Sequence, residues 1–172
     1  ASQVIVLDTN IPEESIRYLA QTVSVPIFAD PVSTAKAGKL RSVLGRLHTL
    51  KPNRLEAELL SGVSITDEQS LHRAADALLE TGLQRVFISL GADGVLAADH
   101  TAHHLLPVLP AQMTNTTGCG DAFMAAITWA YLRGLSLEDT ARAGLAASAI
   151  AMEGEETINP ALSEDALLAR AQ

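Results

Sequence analysis

A glycine-rich turn directly before an apolar segment carries the residues best suited to chemistry. Gly118, Cys119, Gly120 and Asp121 follow four polar residues, and a run with almost no charge continues from Ala122 to Leu132. Glycines permit a tight turn, and the unpaired N–H groups and dipole at a helix N-terminus favour an anion. A carboxylate would repel that anion, so Asp121 is better explained as a base for a hydroxyl that attacks a phosphoryl group.

The same turn has an ordinary interpretation as well. Asp is common in the first turn of helices and Gly-x-Gly is common in loops, so the motif alone leaves the two interpretations even. The following segment favours the anion site, because a helix that is apolar on nearly every side is typically buried. Cys119 could be a thiolate nucleophile at a helix N-terminus. No histidine is adjacent to it in sequence, however, and a small residue that fills the turn is favoured.

Asn53 and Glu56 form a second candidate constellation, three residues apart at the start of a short helix that follows a strand. This spacing places an amide and a carboxylate on one helical face. Near phosphates the pair could hold a hydrated Mg²⁺, which needs few protein ligands. On the pair alone, an N-cap at Asn53 followed by a solvated Glu56 is the favoured interpretation.

A further glycine-containing segment, Ser89–Gly94, follows a strand without opening a helix. The dinucleotide fingerprint and the Walker lysine motif are both absent from the sequence. Locally, a tight turn into a hairpin is the favoured interpretation. His100, His103 and His104 flank that hairpin, and an exposed sheet edge explains them better than a metal site.

Length and composition indicate the class of protein. The 172 residues, of which 48% are hydrophobic and 19% charged, predict a single α/β domain over residues 1–172. Aromatic residues make up only 3%, so the core should be aliphatic and rich in alanine. A formal charge of −8 argues against nucleic acid or an anionic membrane as partners. The single cysteine and the absence of a signal peptide or transmembrane run predict a cytoplasmic protein.

Strand and helix patterns alternate along the chain. Strands are predicted at residues 4–7, 25–29, 48–50, 85–89, 95–98 and 103–106, and helices at 12–22, 36–47, 53–61, 66–81 with a Thr66–Gln69 capping box, 122–132, 136–152 and from 163. The alternation predicts a three-layer α/β/α sandwich with a mostly parallel sheet, to which the late β-hairpin adds antiparallel strands. Ligands bind beyond the carboxyl ends of such strands. The polar residues expected to share that edge are Asp8, Asn10, Asp30, Asn53, Ser89 and the Gly118 turn.

Taken together, the motifs resemble those of the ribokinase-like (PfkB-type) family of sugar and nucleoside kinases. The segment Asn115–Phe123 carries the most specific part of the resemblance, and Asn53-x-x-Glu56 and Ser89-Leu90-Gly91-x-x-Gly94 occur in the family's order. Within the family, residues 30–39, 48–52 and 156–163 most resemble members that phosphorylate the nucleoside pseudouridine. Ribokinase and other sugar kinases of the family are the nearest alternatives.

The resemblance implies ATP and Mg²⁺ as cofactors, a small sugar or nucleoside as acceptor, and a role for each motif. Asp121 would deprotonate the attacking hydroxyl. The N–H groups of Gly118, Cys119 and Gly120 would bind the transferring phosphoryl group. Asn53 and Glu56 would organise Mg²⁺ and the phosphates. The nucleotide site would be lined by Ser89, Gly91, Gly94, Thr117 and Gly120, and residues after Met152 would close over the adenine.

The sequence also departs from the family pattern. Many members have Asp where this chain has Asn115, and that Asp helps to hold a monovalent cation, so K⁺ use is an open question. Cys119 replaces a usual alanine.

The family's N-terminal half and its β-sheet lid have no counterpart in this sequence. We therefore expect the chain to be the C-terminal nucleotide-binding portion of a larger kinase. Alone, it should bind nucleotide weakly and transfer phosphate poorly or not at all. Val4 would then lie in a mid-sheet strand, and a truncated edge would expose apolar strand surface. Such a surface favours self-association, for example a homodimer. A non-catalytic nucleotide-binding module and a purely structural domain are the alternatives from other classes.

Overall fold

The computed structural model describes residues 2–171, within which strands and helices alternate as expected. The strands are β1 Ile5–Asp8, β2 Ile27–Asp30, β3 Thr49–Leu50, β4 Arg85–Ser89, β5 Val95–Asp99 and β6 His103–Leu106. The α-helices are α1 Glu13–Thr22, α2 Thr34–Ala37, α3 Arg54–Ser61, α4 Glu68–Leu79, α5 Cys119–Leu132, α6 Leu137–Glu153 and α7 Glu164–Ala171. Within residues 2–171, no helix is long and apolar enough to cross a membrane.

The six strands form one sheet in the order of the chain, from β1 to β6. The first four strands pair in parallel. β5 and β6 are neighbours joined by three residues, and the Asp99 N–H donates to the Ala102 carbonyl at 3.0 Å. The predicted α/β class, mostly parallel sheet and late hairpin are therefore confirmed.

The described chain divides into two compact units. One contains residues 2–91 and 96–105, and the other contains residues 92–95 and 106–171. The core of the first unit consists of Leu, Ile, Val and Ala side chains, which confirms the expected aliphatic core. In the second unit, alanines of α5 and α6 form most of the buried cluster. The single domain expected over residues 1–172 stays a prediction.

Strand β1 differs from its prediction. A fully buried strand was expected at residues 4–7, but the strand is Ile5–Asp8, Leu7 is its buried apolar residue and Val6 is 50% exposed. The reason is that Val6 and Leu7 point to opposite faces of the sheet, and at this terminal strand the face that carries Val6 is poorly covered. The expected exposure of apolar strand surface is confirmed.

The helix predicted at residues 36–47 is also wrong in type. The segment is the short helix α2 followed by a 3₁₀ helix at Gly38–Arg46. Gly38 and Gly45 lower α-helix propensity here. Gly45 also approaches the Thr81 carbonyl so closely that a Cβ would collide with it.

The capping box of α4 lies one residue later than predicted. Asp67, rather than Thr66, is the N-cap, and its Oδ1 accepts from the Ser70 N–H at 2.7 Å. In return, the Ser70 Oγ accepts from the Asp67 N–H at 2.9 Å. An aspartate carboxylate is a strong cap acceptor, which explains why Asp67 takes this position.

Helices α5 and α6 pack against each other in the second unit. Gly144 of α6 lies against Phe123 of α5, where a Cβ would come within 2.6 Å of the ring. Six of the fourteen residues of α5 are buried, among them Phe123 and Ile127, so the helix is less buried than its apolar sequence predicted. Leu132 at its C-terminal end is 47% exposed. The close contact at Gly144 holds the beginning of α5, where Asp121 lies.

Candidate active site

The glycine-rich turn is built as the sequence suggested. Gly118 is the N-cap of α5 and has a left-handed backbone with φ +86°, and no side chain from residues 2–171 caps the helix. Residues other than glycine rarely adopt this conformation. The first-turn N–H groups, which have no acceptor within a helix, therefore face away from the helix toward a potential anion. The Cys119 N–H is the exception, since it donates a long bond of 3.4 Å to the Thr116 carbonyl.

The segment after α6 lies against this turn. A Cβ on Gly118 would collide with the Thr157 carbonyl oxygen, so only glycine leaves room for that backbone. The N–H groups of Thr114 and Asn115 both donate to the Met152 carbonyl, at 2.9 and 3.1 Å. Residues after Met152, which the resemblance assigns to the adenine, are therefore neighbours of the turn within the second unit.

Asp121 lies in the first turn of α5, and its side chain is exposed. It forms no hydrogen bond or ion pair with any residue between 2 and 171, whereas an aspartate with a purely capping role would accept from a backbone N–H. An exposed carboxylate in the first turn of the helix is available to a substrate hydroxyl. The geometry is compatible with a base, and that role stays a prediction.

Cys119 is half-buried between the two glycines. Burial raises the pKa of its thiol, and the Sγ donates a weak 3.9 Å bond to the Asn115 carbonyl. A thiol with a raised pKa is a poor nucleophile at neutral pH. The arrangement favours the interpretation of Cys119 as a small residue that fills the turn.

The carboxyl ends of β1 to β4 are aligned in the first unit. Asp8 is in register with Asp30, and Asn53 forms a parallel bridge with Ser89. Asn10 joins them through two 2.8 Å bonds to the Asp8 carboxylate. The prediction that these five residues share one edge of the sheet is confirmed. The prediction that the Gly118 turn shares this edge stays a prediction.

Asn53 and Glu56 form a reciprocal capping box at the start of α3. The Asn53 Oδ1 accepts from the Glu56 N–H at 2.9 Å, and the Glu56 Oε2 accepts from the Asn53 N–H at 2.8 Å. The N-cap interpretation is confirmed, but the expected solvation of Glu56 is wrong, since the residue is 3% exposed. The bond from Asn53 pulls the carboxylate back over the helix end, and burial follows.

A buried ion pair lies beside Glu56. The Lys51 Nζ is 2.9 Å from the Asp30 Oδ2, and both side chains are largely buried. The pKa of Glu56 is raised, mainly because the carboxyl is buried. The negative charge of Asp30 also raises this pKa, whereas the hydrogen bond from the Asn53 N–H and the positive charge of Lys51 lower it. Sequence reasoning missed Lys51, because the two partners are 21 positions apart and leave no local signal.

Asn53 and Glu56 could hold magnesium only as a largely hydrated ion. One Glu56 oxygen and the Asn53 oxygen already accept backbone N–H groups, which leaves the second Glu56 oxygen as the main free ligand. Within residues 2–171, no three His, Cys, Asp or Glu side chains lie close enough together to hold a metal ion. Mg²⁺ binding through one carboxylate, water and substrate phosphates is common and consistent with this arrangement.

The buried carboxyl of Glu56 predicts that stability depends on pH. Burial raises its pKa above the ordinary value of 4.5, so the folded chain binds this proton more tightly than the unfolded chain. As pH rises from the ordinary pKa through the raised one, the stability contributed by this group is lost. Glu56→Gln keeps an oxygen for Asn53 but does not titrate. We therefore expect the unfolding free energy of Glu56→Gln to improve relative to wild type as pH rises.

Urea unfolding of both proteins at a series of pH values measures this difference. Glu14→Gln, on the exposed face of α1, controls for the loss of one negative charge. A difference between Glu56→Gln and wild type that is constant with pH would contradict the prediction.

The Ser89–Gly94 segment contains a 3₁₀ turn at Gly91–Asp93. Gly91 is exposed with φ +63°, and Gly94 is buried with φ +98°. A Cβ on Gly94 would collide with the Leu106 carbonyl, so this glycine has a structural reason to be there. The turn into a hairpin is therefore confirmed, and the ATP-lining role of Ser89, Gly91 and Gly94 stays a prediction.

Two features of the first unit were missed from the sequence. Val32 has a left-handed backbone with φ +63°, and its N–H donates to the Asp30 Oδ1 at 2.8 Å. Such strain in a β-branched residue is often found at functional sites. The other feature is a bond of 2.7 Å between the Nδ1 atoms of His72 and His103, with the His103 Nε2 3.1 Å from Asp76. His103 is therefore paired, and His100 is exposed as predicted.

The chain is similar in sequence to known carbohydrate and nucleoside kinases. Residues 6–164 match the model of the pfkB family of carbohydrate kinases. The chain is 38% identical over 164 residues to pseudouridine kinase of Escherichia coli (strain K12), a match that covers 94% of this chain and 52% of that protein. The chain thus spans about half the length of the curated relatives it matches.

Solved structures show the same fold. Ribokinase from Thermotoga maritima superposes with a TM-score of 0.85 at 26% identity, over 98% of this chain and 56% of that one. Phosphofructokinase-2 from Escherichia coli in complex with potassium superposes with a TM-score of 0.81 at 25% identity, over 98% of this chain and 55% of that one.

Proposed function

Because the chain belongs to the pfkB family of carbohydrate kinases, we propose that it carries the nucleotide-binding part of a kinase that transfers phosphate from ATP to a hydroxyl of a sugar or nucleoside. One observation carries the proposal most directly. The left-handed turn at Gly118 opens α5, and an exposed carboxylate, Asp121, follows three residues later; among residues 2–171, no side chain caps the helix and none pairs with Asp121. A simple helix start would need neither feature.

The chain's residues would act mainly by positioning and by electrostatics. The backbone N–H groups at Gly118 and Gly120 bind the transferring phosphoryl group, with Cys119 and Thr117 completing the turn. This arrangement stabilises negative charge as it shifts between oxygens. Asp121 accepts the proton of the attacking hydroxyl and so makes the oxygen a better nucleophile. The transfer also requires that this oxygen is aligned with the phosphorus.

Glu56 and Asn53 would hold hydrated Mg²⁺, which neutralises phosphate charge when bound. Lys51, paired with Asp30, offsets part of the negative charge near Glu56 and so limits repulsion of the phosphates. Ser89, Gly91 and Gly94 line the nucleotide site, and residues after Met152 cover the base. The acidic chain, of formal charge −8, has a small molecule as its partner rather than nucleic acid or membrane, and acts in the cytoplasm.

The proposed acceptor is pseudouridine, which would become pseudouridine 5′-phosphate. The support is the 38% identity to a pseudouridine kinase over 94% of this chain. Ribose is the second candidate, supported by the likeness to ribokinase at 26% identity. Acceptor recognition would rest on parts of the protein outside residues 1–172, so we expect this chain alone to bind nucleotide weakly and transfer phosphate poorly.

The test is calorimetric titration of the chain with Mg–ADP, with folding checked by circular dichroism. We expect saturable binding that is lost or strongly weakened in Gly120→Val, because two branched methyl groups would stand where phosphate approaches the exposed backbone. Gly38→Val is the matched control, since a Cβ at Gly38 meets no atom within 4 Å in the part of the chain that the structure describes. Equal affinity in wild type and Gly120→Val would refute the phosphate role of the turn.

A further inference from the structure

The side chain of Asn115 joins the two segments that form the anion turn. Its Oδ1 accepts from the Thr117 N–H at 2.9 Å, and its Nδ2 donates to the Glu155 carbonyl at 3.1 Å. The two partners fix the orientation of the amide independently, since an N–H needs the oxygen and a carbonyl needs the NH₂ group. Both ends of the side chain are therefore committed to the protein.

This arrangement does not fit a monovalent cation held through position 115. A cation needs oxygen ligands, but the atom that faces the Glu155 carbonyl is a nitrogen with its hydrogens directed at that oxygen. The amide is also neutral, so it supplies no charge to compensate the cation. The structure of phosphofructokinase-2 solved in complex with potassium shows that K⁺ binds to at least one protein of this fold.

We infer that the Asn115 amide replaces a bound monovalent cation as the link between the turn and the segment after α6, so that this nucleotide site assembles without K⁺. An N–H donor at Nδ2 attracts the carbonyl oxygen as a cation would, and the Oδ1 acceptor orders the Thr117 N–H as a carboxylate would. The inference concerns the assembly of the proposed nucleotide site. It rests on the family fold and on these two bonds, and phosphoryl transfer is not needed to test it.

Two further contacts show that the link has a structural task. The Asn115 N–H also donates to the Met152 carbonyl, and Gly118 lies against the Thr157 carbonyl. The chain is thus bonded to the turn at Met152, near the end of α6, and lies against it again at Thr157, on the other side of Glu155. Loss of the hydrogen bond from the Asn115 side chain would release the part of the chain between Met152 and Thr157, which carries the acidic residues Glu155 and Glu156.

The substitution Asn115→Asp converts the link into a cation-requiring one. An aspartate oxygen would then face the Glu155 carbonyl oxygen at about 3 Å, and two acceptors at that distance repel each other. A cation between them would restore the attraction.

Thermal unfolding of the 172-residue chain tests the inference in KCl, NaCl and choline chloride at equal ionic strength. We expect the wild-type Tm to be the same in all three salts. Asn115→Asp should melt lower in choline, by about 2–4 °C for the loss of one such hydrogen bond, and should recover in KCl. Gln112→Glu, exposed three residues earlier, adds the same charge and should show no preference for K⁺.

Asn115→Ala removes both bonds without adding a charge, and it should melt lower in every salt. A wild-type Tm raised by K⁺ over choline would overturn the inference, even if a variant fails to fold. An Asn115→Asp protein that folds and is indifferent to K⁺ would overturn it as well. Because the readout is melting, a failed kinase assay would count against the proposed function and leave this result unaffected.

Discussion

Replacing Asp121 by asparagine is expected to lower turnover by about two to four orders of magnitude and to leave nucleotide affinity unchanged or higher. The carboxylate is exposed and has no partner among residues 2–171, so the isosteric amide removes no contact that holds the fold. An amide cannot accept the hydroxyl proton at neutral pH. It also no longer repels the phosphates, which is why affinity should not fall.

The assay follows ADP release with pseudouridine and with ribose, in the polypeptide that contains residues 1–172. Asp165→Asn is the matched control, because Asp165 is likewise an exposed aspartate in the first turn of a helix, α7. Its turnover should equal that of wild type. Titration with Mg–ADP, done in parallel, separates binding from chemistry.

Each alternative function has its own outcome in these experiments. If the protein is a non-catalytic nucleotide-binding module, wild type and Asp121→Asn bind Mg–ADP alike and neither releases ADP with any acceptor. If Asp121 only caps the helix, the variant is less stable but turns over normally. Unchanged kcat in a stable Asp121→Asn protein would therefore contradict the assignment of Asp121 as the base.

Much of the fold could be predicted because local signals are strong in this chain. Strand β4 matches its predicted range of 85–89, and β6 matches 103–106. Helix α3 ends where Gly62 takes a left-handed C-cap, and α6 begins after Ser136, whose Oγ accepts from the Asp139 N–H at 3.1 Å. Caps and glycines act within a few residues, so the sequence alone reveals them.

The errors arose where distant residues decide the outcome. Glu56 looked solvated because its burial depends on strands and side chains that are remote in sequence, among them Asp30 and Lys51. Val6 looked buried because an aliphatic run gives no sign of the position of its strand in the sheet. The His72–His103 pair joins residues 31 apart. Periodicity reports on one element at a time and cannot reveal such pairings.

In the candidate site, too, the local motifs could be predicted from the sequence and the long-range contacts could not. The residue types of the Gly118 turn and the Asn53–Glu56 pair were evident from spacing, since each motif is completed within four residues. The contacts that support them were not, because Asn115 reaches Glu155 across 40 residues and Gly118 accommodates a carbonyl 39 residues later. Sequence reasoning therefore finds the groups that could touch a substrate more readily than the groups that hold them.

Gly118→Ala is expected to destabilise the second unit and to weaken nucleotide binding. The substitution has two separate costs. Alanine at φ +86° loses about 1–2 kcal/mol from the left-handed backbone alone. The new Cβ also collides with the Thr157 carbonyl, and relief of such overpacking typically costs about 1–3 kcal/mol more.

Gly134→Ala separates the two costs. Gly134 follows α5 at its other end with φ +69°, and a Cβ there meets no atom of the described residues within 4 Å. This variant should lose only the backbone contribution, about 1–2 kcal/mol, in urea unfolding, and it should bind Mg–ADP as wild type does. Gly118→Ala should lose more stability than this control. It should also bind Mg–ADP more weakly, because the segment after α6 must move away and the first-turn N–H groups move with the turn. Equal losses in the two variants would mean that the Thr157 carbonyl does not constrain the turn in solution.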